Sequence, residues 1–350
     1  MKKKTAPFIC MLIIVLLSFL LTSCLFTNTD RADNSSTKIL ALGDSIAGGI
    51  IGTYPASERN NYSYLELVGQ INKFSYKNLA IGGSKTEQLR DYVLQNQSNE
   101  QNNPIKPIME ADIIIISILG NDFLNKELPE HFKDSLETPP IFTKYDAILS
   151  ASYSNIDKIV KRIRKLNSDV TLIFQTLYNP VYPNSSNIMK PDYRQYIREN
   201  YQPEATEEDF YDMTAVMIDR LNNVLYRYLE SNPNAFEILD VNKKFDTLHK
   251  SNPNKLERLI FNDEVGHPSS EGLAVIACLL QEWLEEHNLA EHTSAFNNYK
   301  NVRKNQLNRL YTGTSVDINS ASALIDSALT YDEINDAYFD AINNISPNTD

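Results

Sequence analysis

Short runs of apolar and β-branched residues alternate along the chain with longer stretches whose apolar residues recur at helical spacing. The run Ile113 to Ile118 is apolar at all but one position, which predicts a central parallel strand covered by helices on both faces. The predicted strands are Lys38 to Leu42, Phe74 to Leu79, Asp112 to Ile118, Val170 to Gln175 and Phe236 to Val241. The clearest predicted helices are Ser63 to Ile71, Lys85 to Gln95, Tyr145 to Leu166, Glu207 to Leu229 and Ser270 to about His287. This alternation predicts an α/β fold, a three-layer α/β/α sandwich around a central, mostly parallel five-stranded sheet.

Two stretches exceed what such a sandwich needs. Tyr178 to Gln202 is rich in Pro, Asn and Tyr, and it is long enough to be a lid or a substrate-lining loop. Beyond about Glu291 apolar residues return at helical spacing. We therefore predict one α/β domain over residues 37–290, followed by a helical C-terminal extension over residues 291–350.

The first residues have the layout of an export signal. Lys2 to Lys4 form a positive region, Phe8 to Leu21 is almost unbroken apolar sequence, and small residues then precede Cys24. We interpret residues 1–23 as a signal peptide and residues 24–36, which are polar and without periodicity, as a flexible tether. A retained anchor helix is the alternative, although the apolar run is short for a bilayer span. Both interpretations place the rest of the chain outside the cytoplasm.

The residues before Cys24 read Leu-Thr-Ser-Cys, which resembles the lipobox of bacterial lipoproteins. That resemblance implies that Cys24 becomes the lipid-modified first residue of the mature chain. The predicted location is therefore the outer face of the cell membrane, with the protein attached through a lipid anchor on Cys24.

Charge and cysteine content narrow the function further. The formal net charge of −12 argues against nucleic acid as a partner, because phosphate contacts need clustered Lys and Arg. Three cysteines cannot make a disulfide scaffold, and we interpret Cys278, which lies in an apolar run, as a buried core residue. The sequence has no His-Glu-x-x-His motif and no cysteine pair, so neither a metal nor another cofactor is expected.

Candidate chemistry lies where predicted strands end. Ser45, in the tripeptide Gly-Asp-Ser after the first strand, occupies a strand-to-helix turn where a serine hydroxyl can act as a nucleophile near backbone N–H groups. Gly83 and Asn121 follow the second and third strands, and they can donate to a substrate oxygen through a backbone N–H and a side-chain amide. Working residues gather at the strand ends of such sheets, so we expect these loops to converge.

A second signal lies near the end of the domain. His267 is followed by a proline and preceded by Asp263 and Glu264, four and three residues earlier. A carboxylate beside a histidine can orient its Nδ1–H and so prepare Nε2 as a base, and both carboxylates are candidates for this role. The other histidines are interpreted as solvated surface residues: His131, His249, His287 and His292.

In this combination the sequence resembles the GDSL or SGNH hydrolases, over roughly Lys38 to His287. The resemblance implies the SGNH-hydrolase, flavodoxin-like fold. It also implies that Ser45 is the nucleophile and that its backbone N–H serves the oxyanion hole. Gly83 and Asn121 match the other two oxyanion donors of the family, and His267 matches its base.

Two positions depart from the family pattern. The third motif usually reads Gly-x-Asn-Asp, but here its first position is Leu119 and the glycine is Gly120. The last motif usually has aspartate three residues before the histidine, where this chain has Glu264 and places Asp263 one residue further back.

The resemblance implies serine-dependent hydrolysis of carboxylic esters through an acyl-enzyme, with a lipid or an acylated carbohydrate as substrate. Because of the departures at Leu119 and Glu264, an alternative remains. In that alternative the chain is a catalytically inactive surface lipoprotein that keeps the fold and binds a glycan or lipid.

Overall fold

A single parallel sheet forms the centre of the protein. The computed structural model describes residues 37–51, 54–55, 63–95, 103–124, 128–312 and 317–345. Its strands are β1 (Lys38–Gly43), β2 (Ile50–Ile51), β3 (Tyr54–Pro55), β4 (Ser75–Asn78), β5 (Ile113–Ser117), β6 (Thr171–Gln175) and β7 (Glu237–Leu239). The five-stranded sheet has the spatial order β4, β1, β5, β6, β7 and is parallel throughout, while β2 and β3 form a separate antiparallel pair. The predicted signal peptide and tether lie outside the described residues.

The central strands build two hydrophobic cores, because successive side chains of a strand point to opposite faces of the sheet. Ile39 and Ile113 belong to one core, whereas Leu40 and Ile114 belong to the other. The first core is covered by helices Tyr64–Asn72, Val241–Ser251, Lys255–Leu259, Ser270–Glu286, His292–Tyr311, Asn319–Ser327 and Tyr331–Ile345. The second is covered by helices Thr86–Leu94, Ile105–Glu110, Gly120–Phe123, Leu128–Leu136, Thr143–Leu166, Pro191–Asn200 and Glu207–Ser231. The predicted three-layer α/β/α sandwich is therefore confirmed.

Local capping decides where one of the predicted strands ends. The strand expected over Phe236 to Val241 stops at Leu239, because the side chain of Asp240 accepts a hydrogen bond from the backbone N–H of Lys243. An aspartate in this position satisfies a free N–H group at the start of a helix. The strand therefore ends two residues before its predicted end, and helix Val241–Ser251, which the sequence analysis did not predict, begins at Val241.

The tyrosine-rich segment from Tyr178 to Gln202 is only partly a loop. Its second half contains helix Pro191–Asn200, which begins with proline, a residue well suited to the first helical turn. Its first half is irregular, yet Tyr178 and Tyr182 are buried. The segment therefore packs onto the domain, and part of it lines the candidate site described below.

The C-terminal helices predicted after Glu291 are present and share the first core with helix Ser270–Glu286. Cys278 is buried at this junction, as expected, and its Sγ lies 3.4 Å from the Tyr299 hydroxyl oxygen. The buried guanidinium of Arg303 donates to the same hydroxyl oxygen and to Asn335 Oδ1. Among the described residues, no helix combines the length and the apolar character that a membrane crossing requires.

Candidate active site

The backbone around Gly43 places Ser45 at the carboxyl end of the sheet. Gly43 has a φ of +125°, and a Cβ at this position would lie 1.8 Å from the carbonyl oxygen of Ser117 on the neighbouring strand. Only glycine fits both the conformation and the close approach. The next N–H, that of Asp44, donates to the same Ser117 oxygen at 2.9 Å, so β5 fixes the turn on which Ser45 lies.

The carboxyl group of Asp44 is buried beneath this turn. Its Oδ1 accepts hydrogen bonds from the N–H of Ile46 at 3.0 Å and from the hydroxyl of Ser117 at 3.2 Å. Burial raises the pKa of Asp44 to about 7, because the charged form loses its hydration, and the hydrogen bonds only partly oppose that rise. Asp44 thus stabilises the turn that carries Ser45, and the sequence analysis did not assign it a role.

Because of this raised pKa, we expect the difference in stability between Asp44→Asn and the parent protein to depend on pH. The folded protein holds the Asp44 proton up to about pH 7, whereas the unfolded chain releases it near 3.8, so the free energy of unfolding falls as pH rises between these values. Asparagine keeps an acceptor oxygen and does not titrate. We expect urea unfolding to show Asp44→Asn gaining stability relative to the parent from pH 4 to pH 7, on the order of a few kcal/mol. A difference between the two proteins that stays constant over this range would contradict the assignment.

The loop that carries His267 is organised by Asp263. Oδ1 of Asp263 accepts from the backbone N–H groups of Val265, Gly266 and His267, at 3.2, 2.6 and 3.1 Å. Its other oxygen, Oδ2, lies 2.6 Å from His267 Nδ1. Glu264 is exposed. Of the two carboxylates left open by the sequence, the structure therefore brings Asp263 to His267.

The contact between Asp263 and His267 determines which nitrogen of the imidazole ring carries the hydrogen. Burial alone would raise the pKa of Asp263, but the hydrogen bond from His267, together with the backbone N–H donors, brings it below its ordinary value. An ionised carboxylate can only accept, so Nδ1 carries the hydrogen and donates it to Asp263. Nε2 is then the free acceptor of the ring.

His267 Nε2 lies 3.0 Å from the hydroxyl oxygen of Ser45, a residue 222 positions away in the chain. Ser45, His267 and Asp263 therefore form a continuous hydrogen-bonded chain in which each group is oriented by the next. Ser45 is 9% exposed. This is the arrangement that activates a serine for nucleophilic attack.

The loops that carry Gly83 and Asn121 meet beside Ser45. A Cβ added at Gly82 would lie 4.0 Å from the Cβ of Ser45, and Gly83 follows with a φ of +78°. The side-chain amide of Asn121 donates one hydrogen bond to the carbonyl oxygen of Ser84 at 3.0 Å. Because the amide has a second hydrogen, this bond orients Asn121 without using up its donor capacity.

Asp122 ties the same two loops together. Its two carboxylate oxygens accept from the backbone N–H of Thr86 at 2.9 Å and from the Thr86 hydroxyl at 2.7 Å. Asn155, on helix Thr143–Leu166, donates to that hydroxyl oxygen at 3.1 Å. The loop holding Asn121 is therefore anchored to the start of helix Thr86–Leu94, just after Gly83. Burial raises the pKa of Asp122, and the bonds from Thr86 act against that rise.

Leu119 has a φ of +99° and is fully buried. This is backbone that favours glycine, which accounts for the preference of the family pattern for glycine at this position. Here the leucine keeps that conformation because its side chain packs in the second core. Adopting such a conformation costs a non-glycine residue on the order of 1–3 kcal/mol.

The prediction that four histidines are solvated surface residues is wrong for two of them. His131 and His249 are each only 1% exposed. His249 Nε2 contacts the Glu208 carboxylate at 3.0 Å, and its ring stacks on Tyr211 at 3.8 Å. These partners come from a different helix, so the residues next to His249 in the sequence could not reveal them.

The sequence pattern of the GDSL-like lipase/acylhydrolase family matches residues 41–275, and the chain belongs to this family. Over 181 residues the chain is 26% identical to the uncharacterized protein YpmR of Bacillus subtilis strain 168. That match covers 47% of this chain and 64% of YpmR, which is less than two thirds of the relative.

Solved structures of lipases are also similar to this chain. The lipase Lip_vut3 from a goat rumen metagenome is 20% identical with a TM-score of 0.45, and the match covers 70% of this chain and 96% of that one. The extracellular lipase of Streptomyces rimosus is 17% identical with a TM-score of 0.45, covering 73% and 100%. Phospholipase A1 of Streptomyces albidoflavus NA297 is 15% identical with a TM-score of 0.42, covering 72% and 99%.

Proposed function

We propose that the protein hydrolyses carboxylic esters through an acyl-enzyme on Ser45. The observation that carries this proposal is the hydrogen-bonded chain from Ser45 through His267 to Asp263. Membership of the lipase/acylhydrolase family supports the reaction class. Binding a glycan or lipid without turnover would not need an imidazole within hydrogen-bond distance of the serine, so this contact favours hydrolysis over the binding-only alternative.

In the first half of the reaction, Ser45 Oγ attacks the ester carbonyl carbon while His267 Nε2 accepts the hydroxyl proton. The carboxylate of Asp263 stabilises the imidazolium that results. The tetrahedral intermediate then collapses, the bond to the leaving alcohol breaks, and His267 returns the proton to the alcohol oxygen. The acyl group remains on Ser45.

In the second half, water takes the place of the alcohol. His267 accepts a proton from the water as its oxygen attacks the acyl carbon, and the second intermediate releases the carboxylic acid and the Ser45 hydroxyl. Both intermediates carry a negatively charged oxygen. We assign its stabilisation to the N–H groups of Ser45 and Gly83 and to the second amide hydrogen of Asn121.

Two features support this oxyanion hole. Within the part of the chain that the structure describes, no acceptor is found for the N–H of Ser45 or of Gly83. The amide of Asn121 is held in place by Ser84, and its loop is held by the contacts of Asp122 with Thr86. Preorganised donors of this kind stabilise developing charge without reorganisation during the reaction.

Steady-state hydrolysis of p-nitrophenyl acetate by the purified protein tests the activity. We expect saturable turnover well above the rate in buffer alone. A rate indistinguishable from buffer for this ester and for longer ones, with the protein folded by circular dichroism, would refute the proposal and favour a binding function.

For the location of the enzyme we propose a lipid anchor on Cys24, supported by the lipobox-like sequence before it. Cys24→Ser should move the protein from the membrane fraction to the soluble or secreted fraction. If a retained apolar helix is the anchor, the variant stays in the membrane fraction and the lipid-anchor proposal is wrong.

A further inference from the structure

A small cavity opens directly beside the nucleophile. It has a volume of about 40 Å³, and Ser45, His267 and Asn121 are among the residues that line it. Its other walls are mostly apolar and include Ile46, Phe123, Leu124, Leu177 and Ile188. A group placed in this cavity would be in contact with the reacting serine, so the cavity is part of the substrate site in the proposed function.

The walls of the cavity are held firmly. The N–H of Leu177 donates to Asn222 Oδ1 at 2.8 Å, and the Asn222 amide donates to the Leu177 carbonyl at 2.7 Å. The hydroxyl of Tyr178 donates to the carbonyl oxygen of Gly266 at 2.7 Å, which joins this wall to the loop of His267. Phe123, another of the lining residues, is fully buried. These contacts leave little freedom for the cavity to lengthen around a larger group.

Leu177 limits the size of the cavity on the side facing Gly120. A Cβ added to Gly120 would lie 3.5 Å from Leu177 Cδ1, which is ordinary van der Waals contact. The gap between these two residues therefore has room for about one methyl group. Shortening Leu177 would enlarge the cavity, and adding a methyl group at Gly120 would fill it.

The dimensions of the cavity define what it can hold. A water-sized group needs roughly 10–15 Å³ of cavity volume. About three or four such groups therefore fit in the cavity of about 40 Å³. Burying a charge among apolar walls without a partner is strongly unfavourable, so an occupant without charge is favoured. The cavity therefore matches a short hydrocarbon segment.

The chemistry of hydrolysis determines which part of the ester occupies the cavity. The alcohol must leave and water must arrive at the same carbon, so the alcohol side of the site has to be open to solvent. The acyl group stays on Ser45 through both steps and can occupy a confined space. Beside the nucleophile turn, Ile81 is half exposed and Gly83 is exposed, which leaves that side open for an alcohol of larger size.

We propose that this cavity holds the acyl group and restricts the substrate to esters of short, uncharged acyl chains of about two to four carbons, with Leu177 setting the limit. The proposal rests on the proposed esterase function and names its substrate class. The alcohol part is not restricted by this cavity, so it can be a small alcohol, a sugar or a lipid.

The test compares kcat/KM for p-nitrophenyl acetate, butyrate, hexanoate and octanoate in the purified full-length protein. Each methylene that fits should raise kcat/KM by up to about fourfold through apolar burial. Once the cavity is full this gain ends, and we expect octanoate to be at least about tenfold poorer than butyrate. A second series of acetate esters with longer alcohols should show little dependence on alcohol length.

Two variants should shift this profile in opposite directions. Leu177→Ala should raise the hexanoate-to-butyrate ratio of kcat/KM by about tenfold, because the removed atoms make room for further methylenes. Gly120→Ala should lower the butyrate-to-acetate ratio by a similar factor. Leu248→Ala is the matched control, since this leucine is also partly buried but lies outside the cavity, and it should keep the parent ratios.

The ratio of kcat/KM between two esters is measured within one protein, so a general loss of activity or folding does not change it. A change in this ratio therefore reports on the size limit of the cavity. Equal kcat/KM values for octanoate and butyrate, or unchanged ratios in both cavity variants, would overturn the acyl-size proposal while leaving the esterase intact. Selectivity that follows alcohol length instead would also overturn it. Absence of hydrolysis for every ester would instead refute the proposed function.

Discussion

We expect the replacement of Ser45 with alanine to lower kcat for ester hydrolysis by a factor on the order of 10⁴ or more. The hydroxyl of Ser45 is the atom that His267 Nε2 contacts at 3.0 Å, and without it no acyl-enzyme can form. Residual hydrolysis would come only from the oxyanion donors and from substrate binding. Steady-state kinetics on p-nitrophenyl butyrate measures this loss.

Ser150→Ala is a suitable control for that measurement. Ser150 lies on the exposed surface of helix Thr143–Leu166, and its hydroxyl only donates to the carbonyl oxygen of Asp146. We expect this variant to keep the parental kcat within about twofold, as surface substitutions usually do. If Ser45→Ala is as active as Ser150→Ala, the nucleophile has been assigned to the wrong residue.

The second large loss of activity is expected for Asp263, whose neighbour Glu264 is also a carboxylate. Asp263→Asn should lower kcat by a factor on the order of 10³ to 10⁴, because the asparagine amide would donate toward His267 Nδ1 and force the hydrogen onto Nε2. With a hydrogen on Nε2, His267 cannot accept the proton of Ser45. The asparagine oxygen can still accept from the backbone N–H groups that Asp263 Oδ1 now binds, so the loop should be retained.

Glu264→Gln is the matched control, since it removes the adjacent carboxylate by the same one-atom exchange. Glu264 is exposed and should be dispensable, with kcat within about twofold of the parent. Comparable losses in the two variants, or a larger loss in Glu264→Gln, would contradict the geometry. Because the pKa of Asp263 lies below its ordinary value, the difference should persist across neutral and mildly acidic pH.

The centre of the sheet could be predicted from the sequence because β5 and most of β1 are continuous apolar runs. The strand predicted over Asp112 to Ile118 corresponds to β5, which is buried at every position. The ends of strands and helices depend on side-chain contacts that the pattern of apolar and polar residues does not reveal. Asp240 belongs to a predicted strand by its position, yet its side chain caps helix Val241–Ser251 and ends the strand before it.

In the candidate site, too, the sequence predicts individual residues but not the contacts between them. Ser45 and His267 stand out in the sequence because each lies in a distinct motif, but their 3.0 Å contact spans 222 positions of the chain. Spacing alone left Asp263 and Glu264 equivalent, since either reaches a histidine in some loop conformation. The conformation is decided by the backbone N–H groups that bind Asp263 Oδ1.

Two acids were missed by the sequence analysis, the buried Asp44 and the partly buried Asp122. Asp44 and Asp122 both lie within motifs that were recognised, but adjacent residues carried the expected chemistry. Their roles depend on partners from other loops, Ser117 for Asp44 and Thr86 for Asp122. The overlooked signal was a carboxylate next to a candidate nucleophile or oxyanion donor.

The most direct measurement of the central claim is covalent labelling of the purified protein with a fluorophosphonate, followed by peptide mapping. Only an activated serine reacts readily with this reagent. We predict a single adduct on Ser45 that is lost in Ser45→Ala and strongly reduced in Asp263→Asn. An adduct on a different serine, or ester hydrolysis that persists in protein without any label, would contradict the account.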